Sequence, residues 1–150
     1  MESLMKDYGW VMLGLIAALS AAGVTLFGSI GLEKVDPTLA TTLRSIIMMI
    51  TLVVVSLISG QLQTLWQGGS NVDTRAWVFI ILAGLSGAIS WLAYFAALRL
   101  GVASKISALD RLSVAFIFVL SMLFLGERHT WQGWLGLGLL VSGVYLIASD

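Results

Sequence analysis

The stretch SKISALDRLSVAFIFVLSMLFL, Ser104–Leu125, decides the fold. Beyond its opening lysine it is apolar apart from small hydroxyls and one acid–base pair, Asp110-Arg111. It is also as long as a membrane helix must be, since about 20 apolar residues cross roughly 30 Å of hydrocarbon. A charge inside such a segment costs roughly 2.5–3.5 kcal/mol on insertion scales. A chain that places two charges side by side there is expected to use them.

The same pattern recurs on either side. Hydropathy places spans at Trp10–Ile30, Thr38–Ser59, Ala76–Leu98, Ser104–Leu125 and Thr130–Ala148. The expected fold is therefore an all-α membrane protein with five transmembrane helices in one domain, residues 1–150. Composition agrees: 59% of residues are hydrophobic and 11% charged, against about 25% charged in soluble domains. Mean hydropathy is +0.99. Trp10–Leu19 followed by Ser20-Ala21-Ala22 has the form of a signal peptide, but the apolar run continues to Leu32. A run of that length is a full span and is read as retained.

Several function classes drop out. The chain has no cysteine, which excludes disulfides, thiol catalysis and thiolate metal sites. Its single histidine, His129, falls in a short turn and reads as a solvated loop residue, not a metal ligand. A formal net charge of zero argues against a nucleic-acid partner. No histidine–nucleophile pair, zinc-binding HExxH or phosphate loop is present, and the spans hold no paired carboxylates, so an enzyme is not expected. No cofactor is implied.

The breaks between spans carry their own chemistry. Asp36-Pro37 reads as an N-cap with proline in the first turn. Residues 67–71 form the longest loop, with Asp73 or Thr74 capping the third span, and Gly101 and Gly126 mark two short turns. Short connections force neighbouring helices to pack antiparallel. An odd number of spans puts the termini on opposite faces. Lys6, Arg75 and Arg128 then fall on the N-terminal face, and Lys34, Arg99 and Lys105 on the other. Loop lysines and arginines set orientation, and here they nearly cancel. Trp10, Trp66, Trp77, Trp131 and Trp134 fall at span ends, as in an interfacial aromatic belt.

Three charges lie inside spans: Arg44, Asp110 and Arg111. At 1.5 Å per residue, Arg44 sits about 10 Å from Pro37 and Asp110 about 9 Å from Ser104, similar depths that permit a pair if those helices adjoin. Arg111 points about 100° away from Asp110, so one acid does not serve both arginines. Two readings stand: a structural ion pair with the spare arginine snorkelling to the interface, or a polar cavity that meets an anionic group through forked guanidinium donors. Ser107 and Ser113 lie close enough in sequence to add hydroxyls. Trp91, Tyr94 and Phe95 share a helix face and serve either as packing or as cavity lining; Tyr94, whose hydroxyl needs a partner, is the stronger lining candidate. Gly133, Gly136, Gly138, Ser142 and Gly143 give the fifth span a small-residue pattern. Gly14, Ala18 and Ala22 repeat every four residues on the first span, as do Gly84 and Ala88 on the third. Such patterns suit intrachain packing and a dimer seam equally.

Five pieces in order carry a family resemblance. Val35-Asp36-Pro37-Thr38-Leu39-Ala40 with Leu43-Arg44, Ser90-Trp91 with Tyr94-Phe95-Ala96-Ala97-Leu98, Gly101-Val102-Ala103-Ser104, Leu125-Gly126-Glu127-Arg128, and the glycine pattern of Gly136–Gly143 together resemble an EamA domain of the drug/metabolite transporter superfamily. The resemblance covers essentially the whole chain. Most such proteins carry two inverted domains around a midplane cavity; this chain resembles the five-helix bacterial and archaeal branch, in which Ala108-Leu109-Asp110-Arg111-Leu112-Ser113 is typical of the fourth helix. Two departures stand out: Ala21-Ala22 where many EamA domains have Trp-Gly, and no mid-helix glutamate of the small multidrug-resistance kind, Glu33 lying at the helix end.

The resemblance implies a secondary carrier for a small polar metabolite in a prokaryotic inner or plasma membrane. Alternating access by an inverted pair requires an antiparallel, dual-topology homodimer from a single domain, which the balanced loop charges would permit. Arg44 and Arg111 would orient substrate, Asp110 would pair with arginine or exchange a proton, and Trp91, Tyr94, Phe95 and Ser113 would line the path. The expected partners are a second copy, the bilayer and a small-molecule substrate. Two other readings remain open at this stage: a non-transporting membrane assembly subunit, and a flippase for a lipid-linked substrate.

Overall fold

The computed structural model describes residues 2–66 and 73–150. The glycine-rich loop expected over residues 67–71 lies outside the described residues. Among the described residues seven α-helices follow one another: α1 Glu2–Gly31, α2 Pro37–Ile58, α3 Gln61–Trp66, α4 Thr74–Leu100, α5 Ala103–Asp110, α6 Leu112–Leu120 and α7 Trp131–Ser149, with a π-helical turn Ser121–Leu125 closing α6. Among the described residues, five segments are long and apolar enough to cross a membrane: Tyr8–Gly31, Pro37–Ile58, Thr74–Leu100, Ala103–Leu125 and Trp131–Ser149. The protein is an all-α membrane protein.

Two compact units make up the chain, one holding the residues up to Ile30 with Leu100–Asp150, the other Gly31–Arg99. In the second unit, the short helix α3 packs on α2. Asp36 starts α2 through a side-chain oxygen that accepts the Thr38 N–H at 2.9 Å, with Pro37 at the first helical position. Its other carboxylate oxygen lies 3.6 Å from the Arg99 guanidinium at the end of α4. The start of α2 thus meets the end of α4, and the two run antiparallel. The Thr38 N–H, chiefly, holds the Asp36 carboxyl below its ordinary value, with Arg99 adding to the effect. The stabilisation this gives is present above the ordinary carboxylate range and lost as pH falls through the lowered one. Hydroxyls within α2 are satisfied locally: Thr41, Thr42, Ser45 and Thr51 each donate to the carbonyl four residues back, which hides polar groups that lipid cannot solvate. Gly60, at φ +73°, stops α2 in the left-handed conformation that glycine adopts without strain.

In the first unit, α5 and α6 both pack on α7, the fourth and fifth spans forming an antiparallel hairpin. The fourth span is not the continuous helix expected from hydropathy. At Arg111 the ladder tightens to i→i−3 bonds, Arg111 N–H to the Ala108 carbonyl (3.0 Å) and Val114 N–H to the Arg111 carbonyl (3.1 Å). No glycine or proline announces this break. Its far end widens instead, where the Phe118 carbonyl is drawn to the Ser121 hydroxyl (3.2 Å) and to His129 Nε2 (3.1 Å). Side chains that take a helix carbonyl in this way accompany π-type turns. Gly126, at φ +69°, ends the helix, and Thr130 caps α7 by accepting the Gly133 N–H.

The Phe118 ring stacks on His129 with centroids 3.7 Å apart and meets Trp134 edge-on at 5.1 Å. A Cβ on Gly133 would come within 3.2 Å of that ring, whereas one on Gly136 would meet nothing within 4 Å. Phe118 is hemmed in by two partners and has little room to yield. Gly133→Val should therefore lower stability by about 1–3 kcal/mol, as overpacking does. Gly136→Ala, which fills open space and improves helix propensity, should be neutral or stabilising. Thermal unfolding of the two variants in one detergent checks the contrast, and equal losses would count against it.

Candidate functional site

A guanidinium needs hydrogen-bond acceptors or a countercharge, and Arg44 has neither within its unit among the described residues. It is the eighth residue of a helix beginning at Pro37, about 10 Å in at 1.5 Å per residue. What holds it is an aromatic face. The Arg44 Cζ lies 3.5 Å from the centroid of the Trp91 ring on α4 and 5.5 Å from that of Phe95. A desolvated cation–π contact contributes about 2 kcal/mol, of the same order as the roughly 2.5–3.5 kcal/mol that an intramembrane charge costs. The stack goes far to explain how the arginine sits there without a carboxylate.

The three aromatics come together as their spacing implies. Trp91 and Tyr94 have centroids 5.6 Å apart, and Trp91 and Phe95 5.9 Å, both edge-to-face. Phe95 is buried, 3% exposed, so of the three it is the packing residue; Trp91 and Tyr94 are half-buried. Stacking occupies the flat face of Arg44. Its N–H donors radiate in the guanidinium plane, so the cation–π contact leaves them available.

Beside this cluster is a cavity of about 550 Å³. One wall is the α2 face bearing Arg44, Ser45, Met48, Met49, Leu52, Val53 and Ser56; α4 contributes Gly84, Gly87, Ala88 and Trp91, and α3 contributes Leu62. A Cβ on Gly84 or Gly87 would meet nothing within 4 Å. Of the lining residues, Arg44 and Trp91 stand out in the sequence as site candidates, and Gly84 and Ala88 only as a small-residue packing pattern. Met48, Met49 and Gly87 escaped notice, and Gly84 reads as packing, because nothing in their spacing distinguishes cavity lining from ordinary helix packing.

The remaining charged candidates belong to the other unit. Asp110 is the last residue of α5 and Arg111 lies in the tightened turn before α6; both are exposed, as is Ser113, and Ser107 is half-buried. The Arg44–Asp110 pair inferred from depth would join residues of different units. Of the small residues on α7, Gly133 serves intrachain packing against Phe118, while a Cβ on Gly136, Gly138 or Gly143 would meet nothing within 4 Å. Ser142 donates its hydroxyl to the Gly138 carbonyl.

His129 corrects the sequence reading. It lies in the turn, but it is half-buried and stacked on Phe118, not a free solvated side chain. The Phe118 carbonyl can only accept, so the bond at 3.1 Å requires a proton on Nε2. Ser121, which is buried at 7% exposure, lies 3.2 Å from the same nitrogen. The histidine thus latches the end of the fourth span to the start of α7. Among the described residues, no group of three or more histidine, aspartate or glutamate side chains is placed to hold a metal.

Comparison with known proteins agrees with this architecture. No solved structure matches the chain at a significant level. A curated relative from Sinorhizobium sp., named an uncharacterized transporter in the cobO 3′ region, is 34% identical over 139 residues, spanning 93% of this chain and 96% of that protein. The pattern of the EamA-like transporter family matches residues 8–149. With five spans and that match over nearly its whole length, the chain belongs to the EamA-like transporter family.

Proposed function

We propose that the protein is a secondary carrier for a small polar metabolite, working by alternating access as an antiparallel homodimer in a prokaryotic inner or plasma membrane. The observation that carries this reading is Arg44: a half-buried cation in a membrane span, with no acid or hydrogen-bond acceptor among the described residues of its unit, set on Trp91 beside a cavity. A purely structural arginine would be expected to reach an acid, a carbonyl or the interface. This one is placed to receive an anionic group through donors the stack leaves open.

The other roles follow from chemistry and position. Tyr94 and Trp91 border the path, and Phe95 backs them. The fourth span is interrupted at Asp110-Arg111, and discontinuous membrane helices are where carriers place ion and substrate sites. Arg111 adds a second positive group there, Ser113 a hydroxyl, and Asp110 either pairs with an arginine or carries the coupling proton. An inverted pair built from one domain needs both orientations, which the balanced loop charges support. The open small-residue face of α7 at Gly136, Gly138, Ser142 and Gly143 suits a seam between copies.

Reconstituted into liposomes, the protein should take up a labelled carboxylate in exchange for the same compound inside. Asp110→Asn should abolish that exchange while leaving thermal unfolding near wild type; full activity in the variant would remove Asp110 from the mechanism. The dimer has its own check. Alkaline phosphatase and green fluorescent protein, fused in turn to the C-terminus, should both be active if the chain inserts both ways. Activity of one reporter alone would rule out a dual-topology homodimer.

A further inference from the structure

We infer that the cavity beside α2 takes an amphipathic anion: a single carboxylate-type head on Arg44, with an apolar, preferably aromatic, body lying along α2 toward Ser56. This rests on the reading of Arg44 as a substrate site and narrows the substrate class from polar metabolites in general. The cavity lies wholly within Gly31–Arg99, so one chain supplies it without a partner copy.

The polar groups in the lining are few and far apart. Arg44 and Ser56 stand about 18 Å apart along α2 at 1.5 Å per residue. The Ser45 hydroxyl is spent on the Thr41 carbonyl at 2.8 Å, whereas the Ser56 hydroxyl has no partner among the described residues. Between the two ends the α2 wall is Met48, Met49, Leu52 and Val53. Thioethers adapt to irregular shapes and favour aromatic neighbours, and the Trp91 ring borders the same space. A second carboxylate placed among these side chains would lose its water without gaining a donor, a heavy penalty. The glycines complete the argument. Gly84 and Gly87 line the cavity with nothing within 4 Å of an added Cβ, so a side chain at either position would enter that space.

The test measures binding to protein in nanodiscs by equilibrium dialysis, with empty nanodiscs subtracted. Radiolabelled 3-phenylpropionate is the probe, and 3-phenylpropionamide and succinate compete. The expected result is saturable binding at one probe per chain, with the amide and succinate each at least about tenfold weaker, the scale of one charge-assisted hydrogen bond. Gly87→Leu should abolish binding while the unfolding temperature stays near wild type, because the side chain enters open space. If that variant fails to fold, Gly84→Leu replaces it. Arg44→Gln should erase the preference for acid over amide, and Arg44→Lys should restore part of it. Absence of saturable binding, succinate binding as tightly as the probe, or unchanged binding in a folded cavity-filling variant would overturn the inference. The carrier proposal fails separately: binding as described without liposome exchange refutes transport and keeps the site, while exchange of succinate without phenylpropionate binding does the reverse.

Discussion

The constraint on which the site depends is a positive charge placed where water is scarce. Arg44 cannot give up its proton under any physiological condition, so the surroundings must tolerate it as a cation. The Gly31–Arg99 unit does so with a π face instead of a carboxylate, Trp91 at 3.5 Å and Phe95 behind it. A carboxylate would have neutralised the arginine and consumed its donors. An aromatic ring supports the charge and leaves the donors unspent. The same contact ties α2 to α4 about two turns in from the start of α2, while Asp36 and Arg99 tie them at the end. The exposed end pair contributes little by itself; the stack is the stronger link.

Small residues and local hydrogen bonds do the complementary work. Hydroxyls along α2 turn inward to their own helix, so a span that is rich in threonine and serine remains compatible with lipid. Ser56 departs from this pattern, and it does so on the cavity wall. In the other unit, Gly133 lets Phe118 close on α7, and His129 secures the widened turn that follows. One set of glycines thus permits contact, and another, Gly84 and Gly87, preserves space. Helix spacing alone does not separate these two uses.

That difference accounts for what could and could not be read from the sequence. The five spans were legible because hydropathy over some twenty residues is a strong, additive signal. The Asp36 cap was equally plain, since Asp-Pro before an apolar run has one favoured reading. The break at Asp110-Arg111 was hidden: neither residue is a helix breaker, and the tightened turn contains no glycine or proline. The helix α3 was missed because six residues carry too little periodicity to register. In the site, the shared face of Trp91, Tyr94 and Phe95 follows from their spacing. That Arg44 meets this face does not, because spacing within one helix says nothing about which helix adjoins it.

Central to the site is that Trp91 presents Arg44 to an anion. A double-mutant cycle on the affinity for 3-phenylpropionate, using Arg44→Gln, Trp91→Leu and the two combined, tests it most directly. If Trp91 acts chiefly through Arg44, the double variant binds only slightly more weakly than Arg44→Gln alone, and the two losses are far from additive. Fully additive losses would show that ring and cation act independently, and would contradict the account.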